Sequence, residues 1–164
     1  MIASPPLPLL IPICTGNLCR SPIAEALFNH HLRHLGLLAR VASRGLQACD
    51  GDPPHRHALA VAALEQVEID ASKRATTIDS QDVAAATVLL AMESHHRQAL
   101  IARYPHAAGK VFLLDEEGDI PDPLGQPQNV FEAVWQRIDR GVRAWILRLK
   151  QASLLADGQT VRRP

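Results

Sequence analysis

The run Cys14-Thr15-Gly16-Asn17-Leu18-Cys19-Arg20-Ser21-Pro22 places a cysteine and an arginine with five residues between them, two of which, Gly16 and Asn17, readily take positive φ. Apolar Leu9-Leu10-Ile11-Pro12-Ile13 precedes it and Ile23-Ala24-Glu25-Ala26-Leu27-Phe28 follows it, so the context reads as strand, tight loop, helix. A tight loop at a helix N-terminus gathers free backbone N–H groups around one point, with the positive end of the helix dipole behind them. Its natural ligand is an anion, phosphate first. Arg20 adds a planar two-pronged donor that matches two phosphate oxygens. The same field favours Cys14 as a thiolate nucleophile. A cysteine and an arginine at this spacing, taken alone, read as a buried structural thiol beside a solvated guanidinium. The Gly-Asn pair, the strand before and the Ser-Pro helix start together favour a site.

The elements that must hold this loop follow from periodicity. Leu7 to Ile13 is apolar throughout, as in a central strand buried on both faces. Pro8 and Pro12 remove ladder donors, which predicts a shortened strand with Pro12 where no N–H is needed. A helix is expected from about Pro22 to His34, capped by Ser21, with Ala24, Leu27, Phe28, His31 and Leu35 on one face and Gly36 ending it. Residues 39–45 read as a second strand. A loop over 47–54 leads to a helix over 54–67, with Asp52 as its cap and Pro53 next. Residues 87–92 and 110–114 read as the third and fourth strands, with a helix over 94–103 between them. Residues 115–128 are polar and rich in Pro and Gly, a candidate functional loop. The last helix carries Phe131, Val134, Trp135, Ile138, Val142, Trp145, Ile146 and Leu149 at spacings of three and four. Strands alternating with helices imply an α/β domain with a parallel sheet and right-handed crossovers, whose ligands bind at the carboxyl ends of the strands. Cys14 and Asp122 both emerge there.

The 164 residues suit one domain: a loose lead-in over 1–6, the domain over 7–150 and a tail over 151–164. A net charge of zero gives no reason to expect nucleic acid or an anionic membrane. The eight histidines are scattered and most read as surface residues, with no metal set. Three cysteines cannot all pair, which argues against a disulfide-stapled secreted fold. The N-terminus shows no signal-peptide pattern and no apolar stretch reaches membrane-spanning length. A reducing cytoplasm is the expected setting.

Cys-Thr-Gly-Asn-Leu-Cys-Arg-Ser-Pro-Ile-Ala-Glu, together with Asp122-Pro123 far downstream, resembles the low-molecular-weight protein tyrosine phosphatases over roughly residues 7 to 150. The resemblance implies a four-stranded parallel sheet with helices on both faces (phosphotyrosine phosphatase I-like, Rossmann-like). It implies hydrolysis of phosphate monoesters, protein phosphotyrosine first, through a cysteinyl-phosphate and without cofactor or metal. By resemblance Cys14 is the nucleophile, and Arg20 with the amides from Thr15 through Gly16, Asn17, Leu18 and Cys19 holds the phosphoryl oxygens. Asn17 shapes the loop, the Ser21 hydroxyl stabilises the thiolate, and Asp122 is the general acid. Cys19 can form a protective disulfide with Cys14. The chain departs from the family at Cys49 and Leu124, where aromatics are usual, and at Lys73, where a histidine is usual. The expected pocket wall is thus Leu18, Cys49 and Leu124. Leu18 stands where phosphoarginine-specific relatives carry threonine. Alternatives are a phosphoarginine or small-ester phosphatase, an arsenate reductase, for which residues 80–93 lack the relay cysteines, and a phosphate sensor without catalysis.

Overall fold

A computed structural model describes residues 5–158. Residues 1–4 of the expected lead-in and Val161-Arg162-Arg163-Pro164 of the expected tail lie outside the described residues. In chain order the elements are β1 (Leu9–Cys14), α1 (Arg20–Leu35), β2 (Leu37–Leu38), β3 (Arg40–Val41), β4 (Arg44–Gly45), α2 (Arg56–Leu64), α3 (Ser80–Ala85), β5 (Val88–Ala91), α4 (Ser94–Arg103), a 3-10 turn at Pro105–Lys110, β6 (Val111–Leu113), α5 (Gln128–Gln151) and β7 (Ala156–Asp157). The main sheet is parallel, in the order β3-β1-β5-β6, with β4 also on β1.

Every residue of β1 is buried, and its side chains alternate between two cores. Leu10 and Cys14 join the core under α1, α2 and α5, with Phe28, Phe131, Trp135 and Trp145. Leu9, Ile11 and Ile13 join Val83, Leu89, Leu100 and Val111 on the α3 and α4 face. Helices therefore cover both faces, as expected.

The expected four strands are five, because the edge strand over 39–45 is broken. The carbonyls of Pro8, Leu10 and Cys14 accept from the N–H groups of Arg40, Ala42 and Leu46, so Pro12 faces that edge too. Proline offers no donor there. Opposite it, Ser43 turns its N–H (3.3 Å) and hydroxyl (2.6 Å) to Glu25 Oε2, and the ladder resumes at Arg44.

Other boundaries move for local reasons. α1 begins at Arg20 and not at Pro22, since Ser21 spends its hydroxyl inside the loop and caps nothing. Gly36 ends it in the left-handed region, φ +66°, as expected. Leu35, expected on the buried face, is 60% exposed, because that face ends at Leu32. Asp52 does not cap α2. Pro53 and Pro54 hold the chain extended, and His55 caps instead, its Nδ1 accepting from the His57 N–H at 3.1 Å. The unforeseen α3 is fixed by a reciprocal Asp79–Asp82 capping box. In the expected tail, Ala156–Asp157 pairs antiparallel with Leu37–Leu38. No helix among the described residues is long and apolar enough to cross a membrane.

The long helix α5 holds the loop that follows β6. Trp145 Nε1 donates to the Leu113 carbonyl at 3.1 Å, and Arg137 donates from Nε (3.0 Å) and Nη2 (2.6 Å) to Asp115 Oδ2 and from Nη1 to the Asp119 carbonyl at 2.8 Å. Gly141 permits this approach, because a Cβ there would lie 2.8 Å from the Leu114 carbonyl oxygen. Gly141→Ala gains helix propensity of about 1 kcal/mol but forces backbone apart, a cost of about 1–3 kcal/mol. The expected outcome is a lower urea midpoint at unchanged m-value; a higher midpoint removes the close-approach argument.

Candidate active site

The loop between β1 and α1 turns its carbonyls outward. The carbonyls of Cys14, Thr15 and Leu18 accept from the N–H groups of Leu46 (3.0 Å), Gln47 (3.0 Å) and His55 (2.9 Å). Across a trans peptide the following N–H points the opposite way, so the amides of Thr15, Gly16 and Cys19 turn into the loop. Asn17 makes the reversal in the left-handed region, φ +56°. Gly45 lies directly beneath, where a Cβ would stand 2.7 Å from the Thr15 oxygen and 3.0 Å from the Asn17 nitrogen. At the start of α1 no side chain caps the helix, so its positive end opens onto the loop.

Asn17 is buried and its amide has one possible orientation. Oδ1 accepts from the Thr76 N–H at 3.0 Å, so Nδ2 donates to Ser21 Oγ at 2.8 Å and Ser43 Oγ at 2.9 Å. The Ser43 hydroxyl in turn donates to Glu25 Oε2, which pairs with Lys73 Nζ at 3.0 Å. Because Ser21 Oγ accepts from Asn17, its single proton is left for Cys14 Sγ at 3.0 Å or the Arg44 carbonyl at 3.2 Å.

The Arg20 guanidinium is 1% exposed and heavily partnered. Nη1 donates to Glu93 Oε1 and to the Ile120 carbonyl (2.7 Å), while Nη2 stands 3.5 Å from Asp122 Oδ2. Asp122 is half-exposed; its Oδ1 accepts from the Leu124 N–H at 3.1 Å, which aims Oδ2 at Arg20. Cys14, Gly16, Leu18, Cys19, Arg20, Asp122 and Leu124 line one cavity of about 230 Å³ counted to its open mouth. Asn17 and Ser21 stand behind it, and the Thr15 hydroxyl turns to His96. Of the expected wall, Leu18 and Leu124 line the cavity, whereas Cys49 is exposed and outside it. All three cysteines are free. Cys19 is pushed up to about 12, chiefly by burial and then by Cys14 and Asp122, so its thiol keeps its proton.

Sequence reasoning missed Glu93, Gly45 and His96. Glu93 had a signal, since it directly follows the apolar run of β5 at the carboxyl edge. His96, expected at the surface, is fully buried. Its Nδ1 accepts from the Glu93 N–H at 3.1 Å, so Nε2 carries the proton and donates to Thr15 Oγ1 at 2.8 Å. Glu93, His95 and His96 bring ligand-type atoms within 4.8 Å of one another. Both His96 nitrogens and Glu93 Oε1 already have partners within the site.

A sequence profile described as low molecular weight phosphotyrosine protein phosphatase matches residues 10–155. The probable low molecular weight protein-tyrosine-phosphatase EpsP of Ralstonia nicotianae is 33% identical over 143 residues, 86% of this chain and 95% of that one. A protein-arginine-phosphatase of Geobacillus stearothermophilus is 35% identical over 133 residues, 77% of this chain and 86% of that one. The crystal structure of the low molecular weight protein tyrosine phosphatase from T. tengcongensis superposes with a TM-score of 0.83 at 32% identity, covering 87% of this chain and 99% of that one.

Burial, with Arg20 and His95 adding to it, lowers His96 from 6.5 to about 4. Between those values the unfolded chain holds a proton that the folded chain lacks, so stability falls as pH drops from 6.5 toward 4. His96→Gln should shrink the loss of urea stability between pH 7 and pH 4.5. An equal loss in both proteins removes His96 from the acid response.

Proposed function

The chain belongs to the low molecular weight phosphotyrosine protein phosphatase family, and we propose that it hydrolyses protein phosphotyrosine with Cys14 as nucleophile, Arg20 as phosphate clamp and Asp122 as general acid. It is a phosphoric monoester hydrolase acting on phosphorylated substrates. The observation that carries the residue assignment is that Cys14, Arg20 and Asp122 line one cavity at the carboxyl edge of the sheet.

The Cys14 sulfur attacks phosphorus while the Ser21 hydroxyl, 3.0 Å away, donates to the sulfur and steadies its charge until the S–P bond forms. The transferred group meets the inward amides and Arg20, which are already in place and need little reorganisation as charge spreads over the equatorial oxygens. Protonated Asp122 gives its proton to the departing phenolic oxygen, so the P–O bond breaks without releasing a naked phenolate. The resulting Asp122 carboxylate takes a proton from water, whose oxygen attacks the cysteinyl-phosphate. Phosphate leaves and Cys14 returns as thiolate.

The apolar lips, Leu18 and Leu124, suit a phenyl ring more than the charged guanidino group of phosphoarginine. That the G. stearothermophilus relative bears the name protein-arginine-phosphatase makes phosphoarginine the reading to set against it. Arsenate reduction through a protein thiol relay finds no support, since Cys49, the one cysteine outside the loop, is exposed and away from the cavity. Three free thiols suit a reducing, cytoplasmic setting.

Cys14→Ser should abolish hydrolysis of para-nitrophenyl phosphate, phosphotyrosine peptide and phosphoarginine while inorganic phosphate still binds. Wild-type kcat/KM should be higher for phosphotyrosine peptide; a higher value for phosphoarginine overturns the substrate assignment. Asp122→Asn should lower kcat/KM for phosphotyrosine peptide by about 10²–10⁴ and for para-nitrophenyl phosphate, a better leaving group, by less. Equal loss on both substrates removes Asp122 from the acid role.

A further inference from the structure

We propose that His96 is a positioning residue of the phosphate site, its imidazole tying the hydroxyl of Thr15 to the backbone of Glu93 so that the loop amides and Arg20 are held in one frame. The inference rests on the phosphate-binding reading of the loop.

Two separate parts of the fold meet at the cavity. The loop and its inward amides are built on β1 and β4, through the bonds of Cys14 and Thr15 to Leu46 and Gln47. The direction of the Arg20 side chain is set elsewhere, by Glu93 at the end of β5 and by the Ile120 carbonyl. A phosphoryl group needs both sets of donors at fixed separation, and small misplacements of such donors are costly. His96 joins the two parts directly: one ring nitrogen receives from Glu93, the neighbour of the loop's arginine, and the other gives to Thr15, the neighbour of its cysteine. The ring is fully buried, which shields its side of both bonds from water. Arg20, His95, Glu93 and Asp122 surround it, and burial keeps it neutral, which preserves the one tautomer that can make both bonds at once.

The bland account is that His96 only caps α4, as the third residue of a capping box with Glu93. Substitutions separate the two. A short polar side chain at this position can still reach the capped N–H, as Asp82 does to the Asp79 N–H in α3. His96→Asn therefore keeps the cap and ends short of Thr15. His96→Gln can accept from Glu93 with Oε1 and donate to Thr15 with Nε2. His96→Phe keeps a ring and loses both bonds.

The experiment measures the dissociation constant of inorganic phosphate by calorimetry, with KM for para-nitrophenyl phosphate and thermal unfolding alongside. Losing the bond to Thr15 should weaken phosphate binding about tenfold in His96→Asn and at least as much in His96→Phe, which loses both bonds, with KM rising in parallel, while His96→Gln stays near wild type. His96→Asn should unfold near the wild-type temperature, which separates its loss of binding from a loss of fold. Wild-type phosphate affinity in His96→Asn, or affinity in His96→Gln as weak as in His96→Asn, overturns the proposal and leaves His96 a helix cap. A wild-type protein that binds phosphate yet hydrolyses no monoester would overturn the catalytic reading alone, because the phosphate constants of the variants still decide the role of His96.

Discussion

A loop that turns its amide protons onto an anion must send its carbonyls somewhere else. In this fold the carbonyls of Cys14, Thr15 and Leu18 go to the N–H groups of Leu46, Gln47 and His55, and much of the surrounding architecture follows from that requirement. Gly45 has no side chain, so the backbone that leads to these donors can lie against the loop. The chain from Gln47 to His55 wraps the loop before α2 can begin, and His55 then serves as the cap. Each outward bond fixes an inward amide, because a planar peptide cannot turn one end without the other.

Charge is handled in the same economical way. A fully buried guanidinium is tolerable only when its donors are used. Arg20 meets Glu93, the Ile120 carbonyl and, at longer range, Asp122. Two of these three partners come from the loop after β6, so α5, which grips that loop through Arg137 and Trp145, also holds the arginine's surroundings. Cys14 and Cys19 show how position separates two thiols in one loop. Cys14 has the Ser21 hydroxyl at 3.0 Å, whereas Cys19 is left to burial and like charge, which keep it protonated.

Behind the loop, Asn17 converts geometry into proton direction. Since Thr76 occupies its oxygen, its nitrogen must face Ser21, and Ser21 must then face Cys14 or Arg44 with its own proton. Lys73, where the resemblance predicts a histidine, meets Glu25 as a charged partner and the Ser43 carbonyl at 3.2 Å. The far end of the network is thereby fixed by an ion pair.

By itself the sequence determined what depends on neighbours along the chain: the phosphate loop, the parallel α/β order, the buried face of α5, the end of α1 at Gly36. Periodicity, positive-φ residues and the contiguous Cys14–Pro22 run are local signals, and they survive folding. Tertiary structure decided what depends on residues distant in sequence. The edge strand splits because Pro12 faces it from another strand. Ser21 gives up capping because Asn17 and Cys14 claim its hydroxyl. Leu124 reaches the cavity and Cys49 does not, although both were expected there. Glu93 and His96 become partners of Arg20 and Thr15 across 73 and 81 residues of chain. No pattern along the sequence encodes such pairs, because hydrogen bonding and burial are satisfied in space, and only the packed sheet brings these groups to one edge.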